Sequence, residues 1–282
     1  MVEHFSYKEK VLGSIPSMPT IGRLAQLEER VLDVYEVQRF EPSTAHMELK
    51  IIYEDENVLV IDKPAGIVVF PEGKTTEKTL IDYLIKRYPE LKKAGRPPRY
   101  GIVHRLDKDT SGILLVAKNG KTLESLQKQF KEGKVEKKYL ALVTGNIKTE
   151  GGKIETLIGR SPKDRKKQKV YLPHEPGSQG RHPPTTLREA ITEYKVLQRF
   201  ENYTLIEAEP KTGRKHQIRT HFAYLSHPIV GDKMYGFKNQ SLPEGLKRKF
   251  LHANYLRIEL PNGEIKEFKS ELPSDLKLCL PN

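Results

Sequence analysis

His104-Arg105-Leu106-Asp107-Lys108-Asp109-Thr110-Ser111-Gly112 lies between two apolar runs, residues 100–103 and residues 113–117. Short apolar runs bounded by turn residues read as buried strands, so this stretch predicts a polar loop emerging where two core strands nearly meet. Five of its nine side chains are charged or imidazole. Thr110, Ser111 and Gly112 add local hydrogen bonds and a tight backbone. Such a loop suits a carboxylate held in one orientation; a charged surface hairpin is the competing reading.

Outward from that loop the chain alternates strand patterns with fewer helical ones. Upstream, residues 51–53 and 58–61 read as strands around the turn 54–57, followed by the loop Lys63-Pro64-Ala65-Gly66, a helix near 79–87 and a basic connector at 96–99. Downstream, Leu123, Leu126 and Phe130 mark one face of a helix that Gly133 should end. Strands follow at 138–144 and 154–158, then a pair at 190–197 and 203–209, a loop entering a helix at 212–225, and a turn-rich region at 229–236. The chain closes on a hairpin of 254–260 with 265–269, joined through Asn262-Gly263. This order predicts an α+β fold with a mixed, largely antiparallel sheet.

The 282 residues carry a net charge of +12. A basic chain of this kind suits a polyanionic partner, nucleic acid or an anionic membrane surface. No apolar segment of spanning length is present, nor an amphipathic helix with a large apolar face, which disfavours the membrane. The single cysteine, Cys279, excludes an internal disulfide framework and disfavours a thiolate metal site. A cytoplasmic monomer is expected. His216 and His221 are five apart, not the i, i+4 of a helical metal pair, and no metal is expected.

Two segments stand apart. Residues 1–46 hold five Lys or Arg against seven Asp or Glu, a net of −2, which leaves +14 on the rest. Residues 22–30, Gly-Arg-Leu-Ala-Gln-Leu-Glu-Glu-Arg, followed by Arg39-Phe40-Glu41-Pro42, look like an in-frame translation of a transfer-RNA gene. Met47 is then the expected start, and 47–282 the working domain. The alternative is a native amphipathic helix over 23–37. Further on, Arg160, Lys163, Arg165, Lys166, Lys167 and Lys169 fall within ten residues, opposed only by Asp164, a pattern suited to phosphate contacts. Residues 171–186, with four prolines and no periodicity, read as a flexible excursion.

The loop at 104–112 with the following Ile-Leu-Leu-Val-Ala-Lys resembles the signature of the RluA-type pseudouridine synthases, which isomerise uridine in folded RNA. Lys63-Pro64-Ala65-Gly66, Lys138-Tyr139-Leu140-Ala141-Leu142-Val143 and Thr212-Gly213-Arg214-Lys215-His216-Gln217-Ile218-Arg219 match further family motifs, in the family's order. The resemblance implies the pseudouridine synthase catalytic fold, flanking helices, a central RNA-binding cleft, no cofactor and, here, no S4-type domain. It assigns Asp107 as the essential carboxylate and leaves Asp109 structural.

A carboxylate buried beside phosphates protonates unless a cation holds it ionised, and the resemblance places Arg219 against it. Read without the family, Arg219 is equally a phosphate ligand. Tyr139 is implied to stack on the uracil and take part in removing the C5 proton, with Ile218 as an apolar pocket wall and His104 beside the substrate. Lys63, on a loop whose backbone proline and glycine fix, is expected in the site wall, an ordinary solvated lysine being the alternative. Arg105 is implied to fill the space of the extruded base. Arg214 and Lys215 join the basic patch as RNA-backbone contacts. Large-subunit ribosomal RNA is the favoured substrate, ahead of transfer RNA. A catalytically silent RNA-binding or ribosome-assembly factor and a nucleoside or glycoside hydrolase acting on small molecules are the rival classes.

Overall fold

Strand β3, Ser111–Ala117, is buried along its whole length and its residues serve two cores by turns. Leu114 and Val116 enter one apolar cluster, whereas Ile113, Leu115 and Ala117 enter the other. A side-chain period of two makes that division obligatory once both faces are covered. The computed structural model describes residues 49–72, 77–172 and 187–281. The leader 1–46, Met47 and the bulk of the excursion, 173–186, lie outside the described residues.

Neighbouring β2 (Val58–Lys63) repeats the division, with Leu59 and Ile61 on one side and Val58 and Val60 on the other. Helix α1 (Leu80–Arg87) covers the first face through Leu80, Ile81 and Leu84, started by a capping box between Thr79 and Asp82. Short α2 (Leu91–Ala94) adds Leu91 to that face. Helix α3 (Gly120–Glu132) covers the second face through Leu123 and Leu126 and stops at left-handed Gly133, as its sequence predicts.

The remaining strands are β1 (Lys50–Glu54), β4 (Glu136–Thr144), β5 (Gly151–Arg160), β6 (Gln168–Tyr171), β7 (Arg188–Arg199), β8 (Tyr203–Pro210), β9 (Leu251–Glu259) and β10 (Ile265–Lys269). Two short helices, α4 (Gln217–Tyr224) and α5 (Ser274–Lys277), complete the described elements. One ten-stranded sheet runs β1-β2-β3-β9-β4-β8-β7-β5-β6, with β10 on β9. Every pairing is antiparallel except β3 with β9, so the expected mixed, mostly antiparallel sheet is what forms. Among the described residues no helix is long and apolar enough to cross a membrane.

The expected strand at 100–103 is not one. Tyr100 has φ 48°, which breaks an extended run, and Ile102 makes a single bridge to Val116. Those residues cover the edge of β3 that β9 leaves open beyond Gly112.

The parallel junction is what places the site. Ser111 pairs with His252 and Gly112 with Ala253, while Ala253 also pairs with Tyr139 of β4. Gly112, Ala253 and Tyr139 thus form one row across three strands. A Cβ at Gly112 would sit 2.2 Å from the Ala253 carbonyl oxygen, and its φ of +114° is strained for any side chain.

Candidate active site

Asp107 stands on the loop just before β3, and that loop is clamped from both ends. Its carbonyl accepts the Thr110 N–H at 3.0 Å, closing the turn. The Lys108 carbonyl accepts the Gly66 N–H at 2.9 Å and the Lys63 ammonium at 3.1 Å. On the far end Arg248, paired with Asp275, donates to the Asp109 carbonyl at 3.2 Å and the Ser111 hydroxyl at 3.1 Å. Asp109 itself is exposed.

Lys63 is therefore not the cleft wall expected of it. It is fully buried, and its Nζ also donates to the carbonyls of Pro64 at 2.7 Å and Ile67 at 3.0 Å. A buried ammonium takes whatever acceptors are near, and here they are backbone carbonyls of two loops, which Lys63 ties together. Burial, followed by the charge of Lys249, pushes its pKa down to about 7.

The Asp107 carboxylate opens on a cleft of about 570 Å³. Nine Lys or Arg side chains line it, and Asp107 is the one carboxylate among the described lining residues. Arg219, on α4, donates from Nη1 to Asp107 Oδ2 at 2.7 Å. The other edge of its guanidinium is held by Asp232, Nε to Oδ2 at 2.6 Å and Nη2 to Oδ1 at 2.9 Å. Asp232 is in turn fixed by the N–H groups of Met234 and Tyr235. The start of α4 is fixed by Gln217, whose amide oxygen accepts from the Thr212 hydroxyl and the Arg214 N–H while its NH2 donates to Ile191 and Thr192.

Two further groups face Asp107. The Lys249 ammonium, buried just before β9, lies 3.9 Å from Oδ2, and His216 Nε2 lies 3.8 Å from Oδ1. Burial, the largest single influence, pushes the Asp107 carboxyl up; His216, Lys249 and Arg219 together outweigh it and hold the pKa below its ordinary value. Burial also pushes His216 down to about 4, so at neutral pH the standing positive charges are Arg219 and Lys249. His216 Nδ1 lies 2.9 Å from the Tyr235 hydroxyl, which accepts the Gln168 N–H at 2.8 Å. His221 turns the other way, to the hydroxyls of Thr192 and Thr156.

Tyr139 and Ile218 both line the cleft beside Asp107. Burial and then Asp107 push the Tyr139 phenol well above its ordinary pKa, so it stays protonated at neutral pH. His104 also lines the cleft, yet its Nε2 accepts the Leu115 N–H at 3.1 Å and its ring stacks on Phe130 with centroids 4.8 Å apart. Arg105 lies over the Phe70 ring and is ion-paired with Glu72, whose other oxygen is 3.5 Å from Lys215. Lys215 and Arg214 are in the cleft wall, whereas residues 160–169 lie outside the lining, from the end of β5 through the turn to the start of β6.

Asp232, Lys249 and Tyr235 were not singled out by sequence reasoning. An acid and a tyrosine set between two glycines in Gly231-Asp232-Lys233-Met234-Tyr235-Gly236 was the one signal available.

Residues 57–224 match the family model described as RNA pseudouridylate synthase. The chain belongs to the RNA pseudouridylate synthase family. An uncharacterised RNA pseudouridine synthase of Aquifex aeolicus is 40% identical over 263 residues, 90% of this chain and 79% of that one. A protein named ribosomal large subunit pseudouridine synthase D from Borreliella burgdorferi is 40% identical, covering 84% of this chain and 69% of its own. The solved human RNA pseudouridylate synthase domain containing 1 superposes with a TM-score of 0.64 at 28% identity, over 85% of this chain and 90% of that one. As a pseudouridine synthase, this chain is an isomerase acting on uridine in RNA.

Proposed function

We propose that this pseudouridine synthase acts on large-subunit ribosomal RNA, with Asp107 as its essential carboxylate. The carrying observation is a carboxylate held by Arg219 at 2.7 Å, the one acid among the described residues lining a cleft rich in cations. The names of relatives such as the Borreliella burgdorferi protein favour the ribosomal substrate.

The reaction breaks the bond from C1′ to N1, turns the uracil, joins C1′ to C5, and moves the C5 proton so that N1 ends protonated. Asp107 serves the first step either by attacking C1′ or by taking the C2′ proton, and both routes require it ionised. Arg219 and Lys249 supply that state. Oδ2 faces both cations, so Oδ1 is the oxygen presented to the sugar. Tyr139 stacks on the detached ring, and as a neutral phenol it relays the C5 proton to Asp107 rather than acting as a phenolate base. Ile218 closes the apolar side. Arg105 leaves Glu72 and occupies the stack vacated by the extruded base. Residues 160–169, with Arg214 and Lys215, contact flanking phosphates.

Tritium release from RNA labelled at uridine C5 tests this reading, with bulk ribosomal RNA beside bulk transfer RNA and wild type beside Asp107→Asn. Release from ribosomal RNA alone, lost in the variant with binding retained, is expected. Release from transfer RNA alone overturns the substrate, and release that survives Asp107→Asn overturns the carboxylate.

A further inference from the structure

Lys137 is 8% exposed, yet it lines the cleft, two residues before Tyr139 on the same face of β4. Among the described residues its ammonium makes neither an ion pair nor a hydrogen bond; its one contact is the Phe130 ring, 5.6 Å to the centroid. The acid closest to it in charge, Glu209, is paired with Lys211, which also takes Glu193 at 3.1 Å. Elsewhere in the cleft the embedded cations are matched: Arg219 with two aspartates, Arg105 and Lys215 with Glu72.

A cation on an aromatic face gains on the order of 1–2 kcal/mol. Phe130 is thus a weak partner, and the ammonium, whose stem is buried, meets the open cleft unpaired and is placed to take an anion. Phe130 is itself locked by His104, whose Nε2 accepts the Leu115 N–H, so the ring against which the ammonium rests is fixed.

We infer that Lys137 is a phosphate site inside the cleft, taking the phosphodiester of the nucleotide next to the target uridine. Two residues along a strand span about 7 Å, the reach of one nucleotide from a base stacked on Tyr139. A uracil carbonyl carries only a partial charge, whereas a phosphate oxygen makes a charge-assisted pair with the ammonium. Burial pushes the Lys137 pKa down to about 8, which leaves it mostly protonated at neutral pH and ready for the anion. The inference rests on RNA as the substrate and not on which RNA it is.

The test is binding of an in-vitro large-subunit ribosomal RNA transcript across a potassium chloride series, for wild type, Lys137→Met and Lys137→Arg. Lys137→Met is expected to bind roughly ten- to hundredfold more weakly. The slope of log affinity against log salt should fall by about 0.7–0.9, the share of one phosphate. Lys137→Arg should restore the slope. An unchanged slope in a folded Lys137→Met variant overturns the inference, whether affinity is kept, as for a structural lysine, or lost, as for a base contact. Should that variant melt, the Lys137 side-chain titration in wild-type protein, followed by carbon NMR with and without a stem-loop RNA, decides the matter. Its midpoint must rise on binding, and an unmoved midpoint counts against the site. Failure of wild type to bind the ribosomal transcript overturns the ribosomal reading instead, and the same comparison is then made on a transfer-RNA transcript.

Discussion

Asp232 grips Arg219 through two parallel hydrogen bonds, which turns the remaining guanidinium donor toward Asp107. The catalytic carboxylate proposed here is oriented through an arginine by a second carboxylate 13 residues along from that arginine.

Asp232→Asn should lower kcat about 10- to 100-fold, because a misplaced Arg219 no longer aims at Asp107. It should also cost on the order of 3 kcal/mol of stability, since a buried pair is broken. RNA affinity should stay within about twofold of wild type. Steady-state tritium release with urea melts checks all three, and an unchanged kcat removes Asp232 from the positioning chain.

Lys249→Met bears on the pH profile. The Asp107 pKa is held below its ordinary value, so its ionised form persists into acid and is lost as pH falls through the folded-state pKa. Removing one of the two standing positive charges raises that pKa, so the acid limb of kcat/KM moves to higher pH. Lys249→Arg should bring it back. A limb that does not move means Lys249 serves only the fold.

Gly112→Ala tests the parallel junction. The new methyl meets the Ala253 carbonyl at 2.2 Å and the backbone stays at a φ of +114°, so a loss of roughly 2–3 kcal/mol or more is expected. Activity should fall with stability, because the same row carries Tyr139. Melting temperature together with activity below the melt distinguishes local from global damage.

Lys166→Gln with Lys167→Gln examines the exposed turn between β5 and β6. Binding should weaken and its salt slope should flatten, while kcat at saturating RNA holds. If affinity and slope both match wild type, that turn is a solvated face and the cleft cations carry the RNA.

Much of the sheet is legible in the sequence because β2 and β3 alternate their apolar residues between two cores, and β4 alternates its own between two further clusters. The hairpin at Asn262-Gly263 and the helix stop at Gly133 are equally local. What escapes is long-range. Residues 100–103 carry a strand's composition, but Tyr100 leaves the extended region and β3 offers them one bridge. Asp232 looks like a turn residue because glycines flank it, and nothing periodic announces a buried acid whose partner is an arginine on a helix. Lys249 hides in Lys247-Arg248-Lys249, which reads as a solvated basic run. Lys137 had a signal: it shares the inward parity of Tyr139, Ala141 and Val143, where a lysine is out of place.

The parallel pairing of Gly112 with Ala253 joins residues 141 positions apart, and β9 is the strand wedged between β3 and β4. Until that late strand inserts, Asp107 and Tyr139 belong to separate pieces of sheet. The cleft of a growing chain is therefore incomplete until β9 has been made, ten seconds or more into synthesis at about 5–20 residues per second. Isomerisation waits on the one strand that brings the carboxylate and the tyrosine to the same cleft.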